Sequence, residues 1–451
     1  MKKTKNKMEL LGNAPVQKAL LAMGLPTMIG MMINAIYNLV DAYFVGGLGT
    51  SQMGAISVAY PLGQVIVGLG LLFGNGGASY ISRLLGKGDK EKANKVASTA
   101  IYSSICVGLV MIVVALVFLN PILKLLGATE SIMPYATAYA KIFIIGCIFN
   151  VFNVTMNNLV TSEGAAKTTM FVLFTGAVLN IILDPILIYK FHFGVAGAAL
   201  ATVVSQLIST CLYLIYIGKR KSVFSFQVKE CCPSKEILSE IFKIGVPTLF
   251  FQILTSLSIT MINGQAKMYG DSAIAGMGAV TRVMSMGSLM VFGFIKGFQP
   301  IAGYSYGAKK YNRLNDAIKI SVQWSTVFCV IFGLFMAIDS TGIISTFTTD
   351  DFKMIQIGQR SLVANGIAFL LFGFHTVYSS LFLALGKGKE GFILGICRQG
   401  ICFLPVILFL PRICGIAGIQ YAQPIADVIT FMVTVFMAIK LKNELKEGDK
   451  K

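Results

Sequence analysis

Charge is what this 451-residue chain has least of: Asp, Glu, Lys and Arg make up 13% of it against 55% hydrophobic residues, with a mean hydropathy of +0.74. Soluble domains carry about a quarter charged residues, so that class is excluded. Acids are the scarcer sign, 20 Asp and Glu against 38 Lys and Arg, for a formal net charge of +18. The two histidines, and nine cysteines in no metal-binding spacing, give a zinc site or a convergent catalytic set little to draw on. Cys231 and Cys232 adjoin in a polar stretch, and Cys397 and Cys402 fall in a hydrophobic run. Gly68-x-Gly70 and Gly86-x-Gly88 lack the lysine and strand context of a phosphate-cradling loop, so no nucleotide and no ATP-driven engine are read here. The N-terminus, Lys2-Lys3 to Lys7 and then an apolar run, differs from a signal peptide because the run outlasts an h-region and recurs mid-chain. It is expected to stay attached.

What the chain has instead is long hydrophobic runs. A helix crossing the ~30 Å hydrocarbon layer needs about 20 mostly apolar residues, with its backbone polar groups satisfied internally. Twelve stretches qualify: 16–43, 53–82, 94–120, 134–160, 167–190, 194–218, 237–264, 272–304, 315–339, 354–385, 390–411 and 415–440. The fold class is therefore an all-α polytopic membrane protein. Most Lys and Arg collect in segments on one side, including Lys2, Lys3, Lys5, Lys7, Lys219-Arg220-Lys221, Lys387 and Lys389 between the tenth and eleventh runs with Arg398 counted beside them although it falls inside the 390–411 run, and the C-terminal lysines. The other side holds Lys124, Lys190, Lys267, Lys353 and Arg412, while Lys141, Arg282, Lys296 and Arg360 fall inside the spans. By the positive-inside rule both termini are cytoplasmic, and the base excess faces the cell interior rather than a nucleic acid.

The chain also repeats itself. Gly24, Pro26 and Thr27 recur 221 residues later as Gly245, Pro247 and Thr248, followed in the same register by Gly86 and Gly307, then by Gly194-x-Ala196-Gly197 and Gly415-x-Ala417-Gly418. Six helices per copy give both copies the same orientation, hence two six-helix lobes related by a pseudo-twofold along the membrane normal. The expected division is an N-terminal arm 1–15, N-lobe 16–218, cytoplasmic linker 219–236, C-lobe 237–440 and tail 441–451. Pro26 and Pro247 interrupt the first helix of each lobe, as a static kink or as a hinge that changes between states.

Ionisable groups in hydrocarbon are expensive and default to a site. In the shared register Asp41, Asn180, Asp184 and Thr202 become Ile262, Ile401, Pro405 and Gln423, so the buried polar set belongs to one copy. Asn34, Tyr37 and Asp41 stripe one face of the first helix, Asn180 and Asp184 stand one turn apart before Pro185, and Thr202 and Gln206 stand one turn apart on the sixth. Asn157 lies on the fourth helix, closer to the cytoplasm. Two carboxylates facing each other in hydrocarbon cannot both stay ionised uncompensated, which calls for a proton, Na⁺ or a lipophilic cation. Met28, Met31 and Met286 are candidates for an adaptable greasy pocket, against core packing as the alternative. Arg282 and Lys296 could snorkel or pair, and Asp427 and His375 are further embedded polar groups.

These motifs resemble the multidrug and toxic compound extrusion (MATE) family over nearly the whole chain. The carriers are Asn38-x-x-Asp41-x-x-Phe44-Val45-Gly46, Leu183-Asp184-Pro185-x-Leu187-Ile188, and Gly194-Val195-Ala196-Gly197-Ala198-Ala199-x-Ala201-Thr202. Gly297-Phe298-Gln299-Pro300-Ile301-x-Gly303-Tyr304-x-Tyr306-Gly307 is similar to its MepA-like bacterial branch. The resemblance implies a V-shaped pair of lobes that alternates access and exports lipophilic cationic drugs in exchange for H⁺ or Na⁺ across the cell membrane. It implies no other cofactor and a monomer, with the cation held by Asp41, Asn180, Asp184 and Thr202. It also implies that the C-lobe acids of some Na⁺-coupled members are missing here from helices 7 and 10. The rivals are a lipid-linked oligosaccharide flippase of the same superfamily, which needs a basic central cavity, and a polytopic membrane enzyme.

Overall fold

A computed structural model describes residues 2–348 and 351–449, and every regular element in them is helical. A short α1 (Lys2–Gly12) precedes the first bundle, built from α2 (Val16–Gly46), α3 (Thr50–Lys87), α4 (Lys90–Val117), α5 (Leu119–Leu125), α6 (Met133–Ile145), α7 (Cys147–Ser162), α8 (Ala166–Pro185) and α9 (Gly194–Gly218). The second bundle is α10 (Lys235–Lys267), α11 (Asp271–Gly307), α12 (Tyr311–Ile338), α13 (Ser340–Ser345), α14 (Phe352–Ala384), α15 (Gly388–Ile396), α16 (Phe403–Cys414) and α17 (Ile416–Asp449). Eleven elements are long and apolar enough to span a membrane, twelve if the bent pair α6/α7 counts as one. The chain is a multi-pass membrane protein.

Three readings need correction. The expected single helix over 134–160 is bent by 49° at Gly146, where a side chain would collide with Val203 of α9. The eleventh span is split by a π-helical turn, Cys397–Ile401, between α15 and α16. The tail is no loose end, because α17 runs on to Asp449 with Leu441 and Leu445 buried.

The repeat is explained by packing. Gly49 and Gly270 open the second helix of each bundle at φ +111° and +95°, and Gly194 and Gly415 open the sixth at +54° and +63°. Such backbone excludes most side chains. The bundles meet through α2 on α11 and α10 on α3, with matching contacts. A side chain at Gly86 would overlap the Tyr304 carbonyl, and one at Gly307 would overlap that of Arg83, its counterpart 221 positions earlier. Gly76 meets the Ile241 carbonyl while Gly297 meets the backbone at Gly24. Beside each first-helix proline the next threonine donates back, Thr27 to the Met23 carbonyl (2.9 Å) and Thr248 to that of Ile244 (3.0 Å). These contacts gather at the end of the bundles that carries the termini.

The arm expected over 1–15 is a helix that straps both bundles together. Glu163, fully buried, accepts from Lys7 Nζ (2.9 Å), Tyr216, Ser222 Oγ (2.8 Å) and the Val223 amide (2.6 Å). From the other bundle Arg313 donates to the carbonyls of Leu11 and Ala14, and Lys310 to that of Gly12. Removing one partner of a buried ion pair costs about 3–5 kcal/mol. Glu163→Ala should therefore lower the melting temperature of the purified protein and speed tryptic cleavage at Lys7; an unchanged melting curve would count against the strap.

Candidate functional site

The first bundle presents its polar cluster on α2, α8 and α9. Asn180 and Asp184 lie one helical turn apart on α8 and are both buried. Asn180 Nδ2 donates to Asp184 Oδ1 at 3.3 Å, and lies 3.5 Å from Thr202 Oγ1, at the outer limit of a hydrogen bond. Pro185, next in sequence, has no N–H to continue the helical ladder, and the chain widens into a π-helical turn, Ile186–Lys190. Tyr189 of that turn donates to the Phe44 carbonyl, tying the far end of α2 against α8. Asp41 and Tyr37 of α2 thereby come within electrostatic range of Asp184. Tyr139 of α6 joins them, a residue that sequence periodicity hides inside an apolar run.

The decisive feature is what these groups lack. Asp41 Oδ1, Asn180 Oδ1 and Asp184 Oδ2 are buried without any hydrogen-bond partner. An orphaned buried polar atom costs about 1–3 kcal/mol, more when charged. Three on one cluster, with the Thr202 hydroxyl beside them, form an all-oxygen donor set that suits a proton or a small hard cation such as Na⁺. Among the described residues no three His, Cys, Asp or Glu side chains gather, so the set is two carboxylates completed by an amide and a hydroxyl.

Other candidates fall elsewhere. Asn34 accepts from Asn38 Nδ2 at 3.0 Å, and Gln206 offers its backbone carbonyl to Asn153. Asn157 is bonded to Tyr213 (3.3 Å) and to Lys296 reaching across from α11, rather than to the carboxylates. Lys296 therefore does not snorkel; it ties the two bundles together beside a small cavity lined by Asn75, Asn158, Thr161 and Gln299. Met28 sits where α11 crosses α2, its Cα facing Gly293, and Met31 is half-buried. Arg282 and Met286 precede Gly293 by eleven and seven residues, whole turns of helix, so the face of α11 that packs on α2 continues outward as these two exposed side chains. Pro26 and Pro247 each lie inside an unbroken helix.

The charge distribution also misplaces one group. Arg398, grouped with Lys387 and Lys389 on the basic side, is buried against Asp427 with Nε to Oδ1 at 2.9 Å. His375 is likewise buried, Nδ1 2.9 Å from Thr434 Oγ1.

The MatE family model matches the chain twice, over residues 26–186 and 247–408, one match in each bundle. This chain belongs to the MatE family. Within it, the chain is 33% identical over 439 residues to the multidrug export protein MepA of Staphylococcus aureus (strain MRSA252), covering 96% of this chain and 95% of that protein. It is 32% identical over 435 residues to MepA of Staphylococcus haemolyticus (strain JCSC1435), with 95% and 94% covered. Among solved structures of the MatE fold, the crystal structure of MATE in complex with MaL6 superposes with a TM-score of 0.93 at 25% identity, covering 98% of this chain and 99% of that one. The outward-facing conformation of a multidrug resistance MATE family transporter of the MOP superfamily follows at 0.92 and 25%, with 98% of each chain covered.

Proposed function

We propose that this chain is a secondary active exporter of lipophilic, mostly cationic drugs, driven by H⁺ or Na⁺ at Asp41, Asp184, Asn180 and Thr202. The observation that carries this is the set of three orphaned oxygens, a site that is complete only with a cation present. The relatives named as multidrug export proteins favour an exporter over an enzyme.

In this reading the end bearing the termini is cytoplasmic, as the positive-inside rule requires, and its tight glycine contacts close the protein on that side. An ion entering from outside completes the oxygen set, neutralises the cluster and displaces the drug. The bundles then part at Gly86 and Gly307, pivoting about the proline-weakened first helices, and the ion leaves into the cytoplasm. The vacated negative pocket accepts the next cation. Exchange follows because both ligands compete for one negative charge while each favours a different conformation. Met286, Met31 and Arg282 supply a greasy wall with one fixed charge, and residues reaching the opening cleft, Tyr37, Asn34 and Gln206, shape it.

The test is ethidium efflux from proteoliposomes under an imposed pH or Na⁺ gradient. Efflux that follows one gradient and stops when it is collapsed identifies antiport and its ion. Folded, correctly inserted protein without gradient-dependent efflux would overturn this reading and turn attention to Arg282 and an anionic, lipid-linked substrate.

A further inference from the structure

The second bundle holds a polar cluster that the proposed cycle does not use. Arg398 donates through Nε to Asp427 Oδ1 (2.9 Å) and through Nη2 to Oδ2 (3.4 Å), with side chains 9% and 3% exposed. Gln423 Nε2 reaches the same Oδ1 at 2.8 Å, and the guanidinium lies 4.6 Å from the Phe372 ring centroid. Arg398 is also within electrostatic range of His375 on α14 and Cys329 on α12.

This cluster shares one register position with the N-lobe site and otherwise uses its own residues. In the 221-residue register Gln423 stands where Thr202 stands and Asp427 where Gln206 stands. Each bundle's fifth helix also carries a π-helical turn, at different register positions: Ile186–Lys190 directly follows Asp184-Pro185, while Cys397–Ile401, which contains Arg398, corresponds to 176–180. π-turns concentrate at functional sites. The two also differ in occupancy. The N-lobe leaves Asp41, Asn180 and Asp184 each with an orphaned oxygen, whereas both oxygens of Asp427 are occupied. Packing alone is a poor reason for such a pair, since a buried ion pair is often no more stabilising than an apolar one of the same volume.

We propose that Arg398 is a tethered stand-in for a coupling cation, so that the C-lobe site is permanently filled and the exchanged ion binds in the N-lobe alone. This rests on the N-lobe function proposed for Asp41 and Asp184, and the experiment separates the two. Equilibrium binding of radioactive Na⁺ is measured on purified full-length protein, with the infrared band of protonated carboxylic acids recorded beside it, in an Asp41→Asn/Asp184→Asn background that removes the N-lobe carboxylates. With Arg398 present, no Asp427-dependent Na⁺ site or acid band is expected. Adding Arg398→Met should create one or the other, a gain of one cation per chain, and adding Asp427→Asn to that should remove it. Arg398→Lys should leave the site filled. The proposal is overturned by Asp427-dependent Na⁺ binding while Arg398 is in place, or by folded Arg398→Met protein that gains neither signal. It is overturned equally if Arg398→Met misfolds and Asp427→Asn does not restore folding, because the arginine then serves packing and not charge. Failure of the N-lobe reading shows separately, as wild-type cation binding that survives loss of Asp41 and Asp184.

Discussion

Asp184→Asn is expected to reduce ion-driven drug efflux about 100-fold, the upper range of a coupling free energy between two ligands. The substitution keeps the shape of the side chain and its partner Asn180 but removes the negative charge for which ion and drug compete. Asp184 is fully buried and its Oδ2 has no partner, so the substitution leaves Asp41 alone to carry the charge of the cluster. Asp41→Asn should act in the same direction, since Asp41 Oδ1 is likewise orphaned. The substituted protein should fold at least as well as wild type, because an amide in hydrocarbon is less costly than an uncompensated carboxylate. The measurement is initial efflux rate at a fixed ion gradient, with insertion checked by surface labelling. Undiminished efflux from Asp184→Asn would remove the carboxylate from the mechanism.

Gly307→Leu should act at the opposite end and by geometry alone. A Cβ at Gly307 overlaps the Arg83 carbonyl, just as one at Gly86 overlaps that of Tyr304, and backbone cannot step aside as a side chain could. The clash is relieved only by parting the bundles, so the closed state at the terminal end loses more than about 4 kcal/mol, the range of severe core overpacking. A cysteine placed at Ser79, whose hydroxyl spans the interface to the Leu383 carbonyl at 2.6 Å, should then react with a water-soluble thiol reagent at least ~10-fold faster on a cysteine-free background. Gly88→Ala is the control: at φ +83° with no atom within reach of its Cβ, it suffers backbone strain of about 1–2 kcal/mol without moving the bundles. Equal labelling in Gly307→Leu and wild type would show that these glycines do not close this end.

Much of this protein is set by local sequence. Hydrophobic length fixes the spanning helices, because a bilayer admits few other solutions. The 221-residue register fixes the duplication, since the positive-φ turns at Gly49/Gly270 and Gly194/Gly415 and the close helix crossings favour glycine in both copies. The N-lobe cluster was also legible, because Asn34, Tyr37 and Asp41 share one helix stripe and Asn180 and Asp184 another, and an acid is too costly in hydrocarbon to be kept there without a partner or a ligand. Pairings across long stretches of chain were decided by the tertiary structure. Arg398 stands without a visible partner in the 390–411 run until α17 brings Asp427 to it, and Glu163 gains its cation only when Lys7, 156 residues earlier, and the linker close over it. Asn157, which the sequence places on the fourth helix closer to the cytoplasm, is joined in space to Lys296, where α11 crosses the first bundle. Periodicity shows which face of a helix is polar. It does not show which distant helix will meet that face, and in a low-dielectric interior that partner decides whether a charge is locked in place or left open to an ion.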